Sequence, residues 1–377
     1  MTLFESASRN AAPFLHGPEF AAMSEALRAG QFGHNTATDA FETELAEFLG
    51  VPDVVSVNSC TAALHLSLLA AGVGPGDEVV VPSQTFCATV HAILMAGAQP
   101  RFADITADTQ CVDSTTVRAA LTPRTRAVLP VLYGGRAVDL SEIRTELTDL
   151  GITLIEDAAH AFGSRLGGEL VGTTGALTCF SFGPIKNLTC IEGGALIPRD
   201  QHDADQVRAL RLMGVTQSQS ARIRTTDYQV DVRGWRYHLS AVHAAVGRVQ
   251  LAHFPVIEEK RKALWRAYAR ELAAIETVNL VDVDVDHSVP FNCVVRVPDR
   301  DRIFATMRDL NIGVGVHYPP NHTQPAFLRW YRPLPVTETT ATEIMSLPFH
   351  PAMTENDVHH VASVLEQAVL IPRPETL

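Results

Sequence analysis

From residue 51 to about residue 200 the chain alternates short β-branched apolar runs with helical stretches. "VVSVNS" precedes "CTAALHLSLLAAG" and "EVVVPS" precedes "TFCATVHAILMAGA"; then come "QPRFADI", "RAVLPVLYG", "TLIEDAA", "LTCFSF" and "GGALIPR". Near-continuous apolar strands separated by helices predict an α/β fold with a mostly parallel sheet covered on both faces. Ligands of such sheets sit at the carboxyl ends of strands, so the chemistry is to be sought just after each apolar run. Beyond residue 250 the pattern changes. A long charged amphipathic helix, "PVIEEKRKALWRAYAREL", is followed by "VNLVDVDV", "SVPFNCVVRV", "DRIFATMRDLN", "VGVHYPP" and a last helix in "TENDVHHVASVLEQAVL". This predicts a large domain over 1–250, with residues 1–30 as an N-terminal arm, and a smaller α+β domain over 251–377. The polar, arginine-bearing stretch 216–240 reads as a long loop over a site or an interface.

With 377 residues, 46% of them hydrophobic and 19% charged, the chain can bury the core of two domains. A net charge of −12 and the absence of any lysine/arginine block exclude sequence-independent nucleic-acid binding, so an anionic substrate must be held by a local basic site. The amino terminus lacks the basic and apolar segments of a signal peptide, and no run of about 18 apolar residues occurs. A cytoplasmic protein without a membrane span is expected. The six cysteines (Cys60, Cys87, Cys111, Cys179, Cys190 and Cys293) have no CxxC spacing, which favours free thiols. The 15 histidines form no HExxH or Cys/His pattern, so no metal site is expected.

Composition changes the picture at one point. Of 30 basic residues only Lys186, Lys260 and Lys262 are lysine. Lys260 and Lys262 fall among the charges of the long amphipathic helix and read as a solvated face. Lys186, in "CFSFGPIKNLTCIEGGALI", follows a strand-like run and stands in apolar, glycine-rich surroundings. A guanidinium stays protonated, whereas a desolvated lysine amine can lose its proton and attack a carbonyl. The choice of lysine therefore suggests a Schiff base, with simple pairing to a carboxylate or phosphate as the alternative.

Two further strand ends carry candidates. In "VVSVNSCTAALHLSLL" a strand ends at Asn58-Ser59 and a helix begins, which makes an anion site from free amides with the Ser59 and Thr61 hydroxyls added, or a plain Ser59 cap. In "TLIEDAAHAFGS" Asp157 could hold a protonated ring nitrogen and His160 could bond the same ring, or they could be a cap and a core histidine. Asp157, Ser181 and Lys186 all fall on the inferred ligand edge of one sheet. "GVGPGD" at 72–77 follows a helix and precedes a strand, the reverse of a dinucleotide loop.

Taken together, "NSCTAALHLSLLAAGVGPGDEVVVPSQTFCATVHAILMAGAQPRFADI", "IEDAAHAFGS", "SFGPIKNLTCIEGGAL", "VGVHYPPNHTQPAF" and "LPFHPAMTENDV" resemble the pyridoxal-phosphate sugar aminotransferases of the DegT/DnrJ/EryC1/StrS family over roughly residues 30–370. The resemblance implies a fold-type I transferase with a seven-stranded, mainly parallel sheet, acting as a homodimer with shared active sites. It implies that Lys186 holds pyridoxal phosphate (PLP, cycling to PMP) as a Schiff base, that Asp157 pairs with the ring nitrogen, and that His160 contacts the ring's hydroxyl side. Phe86 would stack on the ring, and Cys60, Thr61 and Ser181 would hold the phosphate. Tyr133, His317 and Tyr318 match positions on the substrate side.

One departure is "GWRYHLS", where many relatives carry an asparagine that reaches across the dimer to the cofactor phosphate; here the residue is Arg236. It would bind that phosphate or a substrate phosphate, with Arg222, Arg224 and Arg233 as further candidates for a diphosphate. The implied reaction moves an amino group from an amino acid, glutamate, to a keto sugar, nucleotide-linked, with a keto-cyclitol as the alternative acceptor. A related sugar dehydratase would carry histidine at the lysine position, so Lys186 argues against it. Lys186, Asp157 and His160 together argue against a non-catalytic regulatory protein.

Overall fold

In the computed structural model the described residues are 5–30, 32–217 and 226–371. Nine strands come from the first part of the chain: β1 (Val55–Val57), β2 (Glu78–Pro82), β3 (Gln99–Ala103), β4 (Thr125–Val128), β5 (Thr153–Asp157), β6 (Arg165–Leu166), β7 (Glu169–Leu170), β8 (Leu177–Ser181) and β9 (Gly194–Ile197). Seven build the main sheet in the order β1-β9-β8-β5-β4-β2-β3, with β9 antiparallel to both neighbours and the other pairings parallel. β6 and β7 form a separate hairpin.

The apolar runs are continuous because both faces are covered. Val80 and Val128 join one buried cluster with Phe41, Phe162, Phe180 and Phe254. Their strand neighbours Val79, Val81 and Ala127 join the opposite cluster with Leu64, Leu66, Ile155 and Leu177. This is the period-two alternation of a strand, with both alternating sets apolar. The helix Cys60–Ala70 is buried from Ala62 to Leu68, so it too is apolar nearly all round.

A second, antiparallel sheet contains β10 (Asn279–Leu280), β11 (Cys293–Arg296) and β12 (Ile344–Leu347). "VNLVDVDV" thus yields only two strand residues. A third cluster, including Tyr268, Val295, Ile303, Met345 and Leu365, packs this sheet against the helices Arg300–Asp309 and Glu355–Leu370. The helix Phe254–Leu272 puts Phe254 into the first cluster and Leu264, Tyr268 and Leu272 into the third.

Residues 5–30 divide between these parts. Residues 5–10 run along the small sheet: Gly313 N donates to Ala7 O at 2.8 Å, Phe349 N to Asn10 O at 2.9 Å, and Asn10 Nδ2 to Ser346 O at 2.9 Å. The helix Pro18–Ala29 lies instead against the helix Ala241–Ala252, where Gln250 Nε2 donates to buried Glu19 at 2.6 Å. Among the described residues no helix is long and apolar enough to cross a membrane.

Candidate active site

Parallel strands bring their carboxyl ends to one edge. β5 pairs with β8 with Asp157 opposite Cys179, so Asp157 and Ser181 finish neighbouring strands. Lys186 follows in the turn after β8. The positions of Ser181 Oγ, Lys186 Cγ and Glu192 Oε2 all lie within 4.0 Å of where a Cβ on Gly183 would stand, so glycine there leaves these three side chains room to converge.

Lys186 is half-buried, and among the described residues its amine has no carboxylate partner. Its Nζ lies 4.3 Å from the centre of the Phe291 ring. Burial pulls its pKa down to about 8, the Cys60 thiol and the Asp157 carboxylate pulling back the other way. Asp157 is 4% exposed, and burial raises its pKa. Two donors oppose that rise: Thr89 Oγ1 at 2.7 Å to Oδ2 and Ala159 N at 3.1 Å to Oδ1. Turns, not a helix, follow Asp157, so the Ala159 bond caps a turn.

The helix Cys60–Ala70 begins directly after β1. Ser59 is its cap, accepting from Ala62 N at 3.2 Å, while its carbonyl accepts from Ala63 N at 3.1 Å. The plain-cap reading of Ser59 therefore holds, yet it leaves the Cys60 and Thr61 amides without acceptors among the described residues. Gly194 makes the approach possible, since a Cβ there would stand 2.7 Å from Cys60 N and 2.8 Å from Phe180 O. The Cys60 thiol is pushed up, first by burial and then by the Asp157 carboxylate, with Lys186 opposing.

His160 is 5% exposed and stacks on Phe291 with ring centres 4.0 Å apart. Gly134 N donates to its Nδ1 at 3.4 Å, which leaves Nε2 to donate to the Tyr318 hydroxyl at 3.1 Å. Burial and then the Lys186 charge hold His160 well below the usual histidine range. The same two causes push His317 down to about 4, and its Nδ1 lies 2.8 Å from Ser346 Oγ. Phe86 is 57% exposed, its ring 5.7 Å from that of Tyr318. Tyr133 stands behind this face: it is 1% exposed, and its hydroxyl donates to the His317 carbonyl, which also accepts from Gln84 Nε2. In this structure it braces the His317–Tyr318 segment.

Arg236 and Arg233 are exposed, and the Arg236 side chain joins none of these groups. Its backbone does lie near the phosphate-side helix, accepting from Asn58 Nδ2 at 3.3 Å. Arg222 and Arg224 lie outside the described residues. Three residues near the site escaped sequence reasoning: Thr89, Phe291 and Arg261. Thr89 sits inside an apolar helical stretch, and Phe291 follows a loop; neither carries a local signal. Arg261 was hidden in the charged "EEKRK" run, although it shares the buried stripe of its helix with Ile257, Leu264 and Tyr268.

An amine that can be neutral, an acid that can hold a ring N–H and two free amides suit an aldehyde cofactor with a basic ring nitrogen and a phosphate. On this sheet they place the chain among the fold-type I, pyridoxal-phosphate-dependent aminotransferases. More narrowly, the chain belongs to the DegT/DnrJ/EryC1/StrS aminotransferase family, whose sequence profile matches residues 15–366. Among solved structures it is similar to DesV from S. venezuelae in complex with a ketimine intermediate, at 31% identity over 96% of this chain and 100% of that one, with a TM-score of 0.89. It is similar to the sugar aminotransferase CalS13 from Micromonospora echinospora, at 28% identity over 95% and 99% of the two chains, with a TM-score of 0.89. It is also similar to DesI, solved in the presence of its TDP-sugar product, at 29% identity over 97% and 93%, with a TM-score of 0.85.

Proposed function

We propose that this chain transfers an amino group from L-glutamate to a keto sugar carried on a nucleotide, within amino-sugar biosynthesis. The observation that carries the reading is the Lys186 amine, held without an acid partner among the described residues and with its pKa lowered to about 8, beside the buried acid Asp157. The nucleotide-linked acceptor is supported by the TDP-sugar in the DesI structure and by the exposed Arg233 and Arg236 of this chain.

Pyridoxal phosphate, when bound, supplies the electron sink that makes the substrate carbon acidic. Asp157 would hold the ring N–H, with Thr89 and Ala159 donating to its carboxylate and opposing the effect of burial. The Cys60 and Thr61 amides and the Ser181 hydroxyl take the phosphate at a helix start, where the dipole favours an anion. Phe86 covers one ring face, and His160 bonds the ring's hydroxyl side. Lys186 Nζ would take the proton from the substrate carbon and deliver it to the aldehyde-derived carbon of the cofactor, acting as base and then as acid. His317 and Tyr318 face the acceptor, with Tyr133 fixing them from behind. Two copies of the chain share each site, Arg236 of one reaching the phosphate of the other.

The test is a half-reaction. Purified protein loaded with pyridoxal phosphate loses the visible band of the bound cofactor on addition of L-glutamate and regains it with a nucleotide keto sugar. A band indifferent to every amino donor would overturn the reading, as would recovery with simple keto acids alone.

A further inference from the structure

Arg261 is the anomaly of the helix Phe254–Leu272. It is 2% exposed, on the core-facing stripe, and no carboxylate pairs with it among the described residues. Nη1 donates to Pro290 O at 3.3 Å and to Phe291 O at 3.0 Å, Nη2 donates to Ile185 O at 3.4 Å, and the buried Nε has no partner among the described residues. The Phe349 ring lies 5.7 Å from the guanidinium carbon. Burying a cation against carbonyls alone is costly, and burial pushes even this guanidinium down to about 9. A leucine would fill the stripe without that penalty, so the charge requires a reason.

The acceptors supply one. Ile185 immediately precedes Lys186, and Phe291 is the ring that lies under the Lys186 amine and stacks on His160. One rigid fork therefore joins the backbone carrying the amine to the platform beneath it.

We propose that Arg261 is a positioning residue for the amino transfer: its fork ties the backbone at Ile185 to that at Phe291 and so aligns Lys186 over the Phe291 ring. After burial, its charge is the further cause that lowers the Lys186 amine. The assignment rests on Lys186 being the reactive lysine. Facing Lys186 are Cys60 from the helix after β1 and Asp157 from β5, both of which favour its charged form, and Arg261 from behind, which opposes it. His160 and His317 also face it, and its charge lowers both.

The scarcity of lysine makes the test direct. The full chain, freed of cofactor, is pulsed with an amine-acylating reagent across a pH series, and the three lysines are read by peptide mass spectrometry. In the wild type Lys186 reaches half-maximal reactivity near its lowered pKa of about 8. Arg261→Gln keeps a donor for the carbonyls but loses the charge. It raises the Lys186 midpoint by a fraction of a pH unit, about a two- to threefold loss of neutral amine at neutral pH. Arg261→Lys keeps the charge but not the fork: the midpoint stays, and capture of added pyridoxal phosphate slows several-fold. Arg266→Ala, which breaks the exposed pair with Asp286 on the same helix, leaves the wild-type profile.

The proposal is overturned if Arg261→Gln leaves the midpoint in place, if Arg261→Lys raises it, or if Arg261→Lys captures cofactor at the wild-type rate. The lysine variant decides the matter even where the glutamine variant does not fold. Reductive trapping of cofactor on Lys186 with an unmoved midpoint would remove the Arg261 assignment alone and leave the proposed function standing.

Discussion

Thr89 Oγ1 donates to Asp157 Oδ2 at 2.7 Å, so in its 2.8 Å contact with Thr85 the Thr89 oxygen is the acceptor. The two hydroxyls form a relay that ends on a buried carboxylate. Asn321 Nδ2, bonded to Thr85 O at 2.6 Å, fixes the outer end. These donors oppose the rise that burial causes in Asp157, and so favour the charged form that pairs best with a ring N–H.

Thr89→Val removes a hydrogen bond to a charged group, worth about 1.5–3 kcal/mol to the ionised acid. Burial already raises Asp157. The loss raises it further, so the pH below which cofactor is released moves upward. A spectroscopic titration of the bound cofactor checks this, and Thr89→Ser restores the wild-type curve.

Lys186 has its pKa lowered to about 8, so its neutral, reactive fraction grows as pH rises through that value. Capture of pyridoxal phosphate by cofactor-free protein should accelerate about tenfold per pH unit below the midpoint and level off above it. Stopped-flow absorbance reads this directly. A rate still climbing at the ordinary lysine pKa would show that the amine is not perturbed.

If Arg236 serves the partner's site, Lys186→Ala and Arg236→Ala are complementary defects. Each variant alone is inactive or strongly impaired. After mixed refolding, about half of the dimers are hybrids, and each hybrid has one site with both residues intact. Activity should return to about a quarter of wild type. No recovery places Arg236 in its own protomer's chemistry or outside it.

Gly194→Ala puts a Cβ 2.7 Å from Cys60 N and Ser59 C and 2.8 Å from Phe180 O, all of them backbone atoms. None can swing aside, so the start of the helix must shift. The expected cost is about 1–3 kcal/mol in thermal stability, with phosphate affinity falling alongside. Thermal unfolding and phosphate-competition binding measure the two effects.

The strand ends were legible because each apolar run stops at a chemically distinct residue: Asp157 after "TLIE", Ser181 after "TCF", Ser59 after "VSVN". Lys186 was legible because arginine is the background cation. Arg261 was not, since flanking charges in "EEKRK" mask its register on the buried stripe, and only the fold shows that stripe meeting carbonyls from the two distant segments 185 and 290–291. The burial of Tyr133 was not legible, because a pattern match carries no information on burial. The docking of residues 5–10 on the small sheet joins positions more than 300 apart, as in Asn10 to Ser346, and has no local signature.

The central claim is that Lys186 is the residue that carries the cofactor. Purified protein loaded with pyridoxal phosphate is reduced with borohydride, digested, and mapped by mass spectrometry. The pyridoxyl group should appear on the peptide containing Lys186 and vanish in Lys186→Ala. Its appearance on Lys260 or Lys262, or on no lysine at all, would contradict the account.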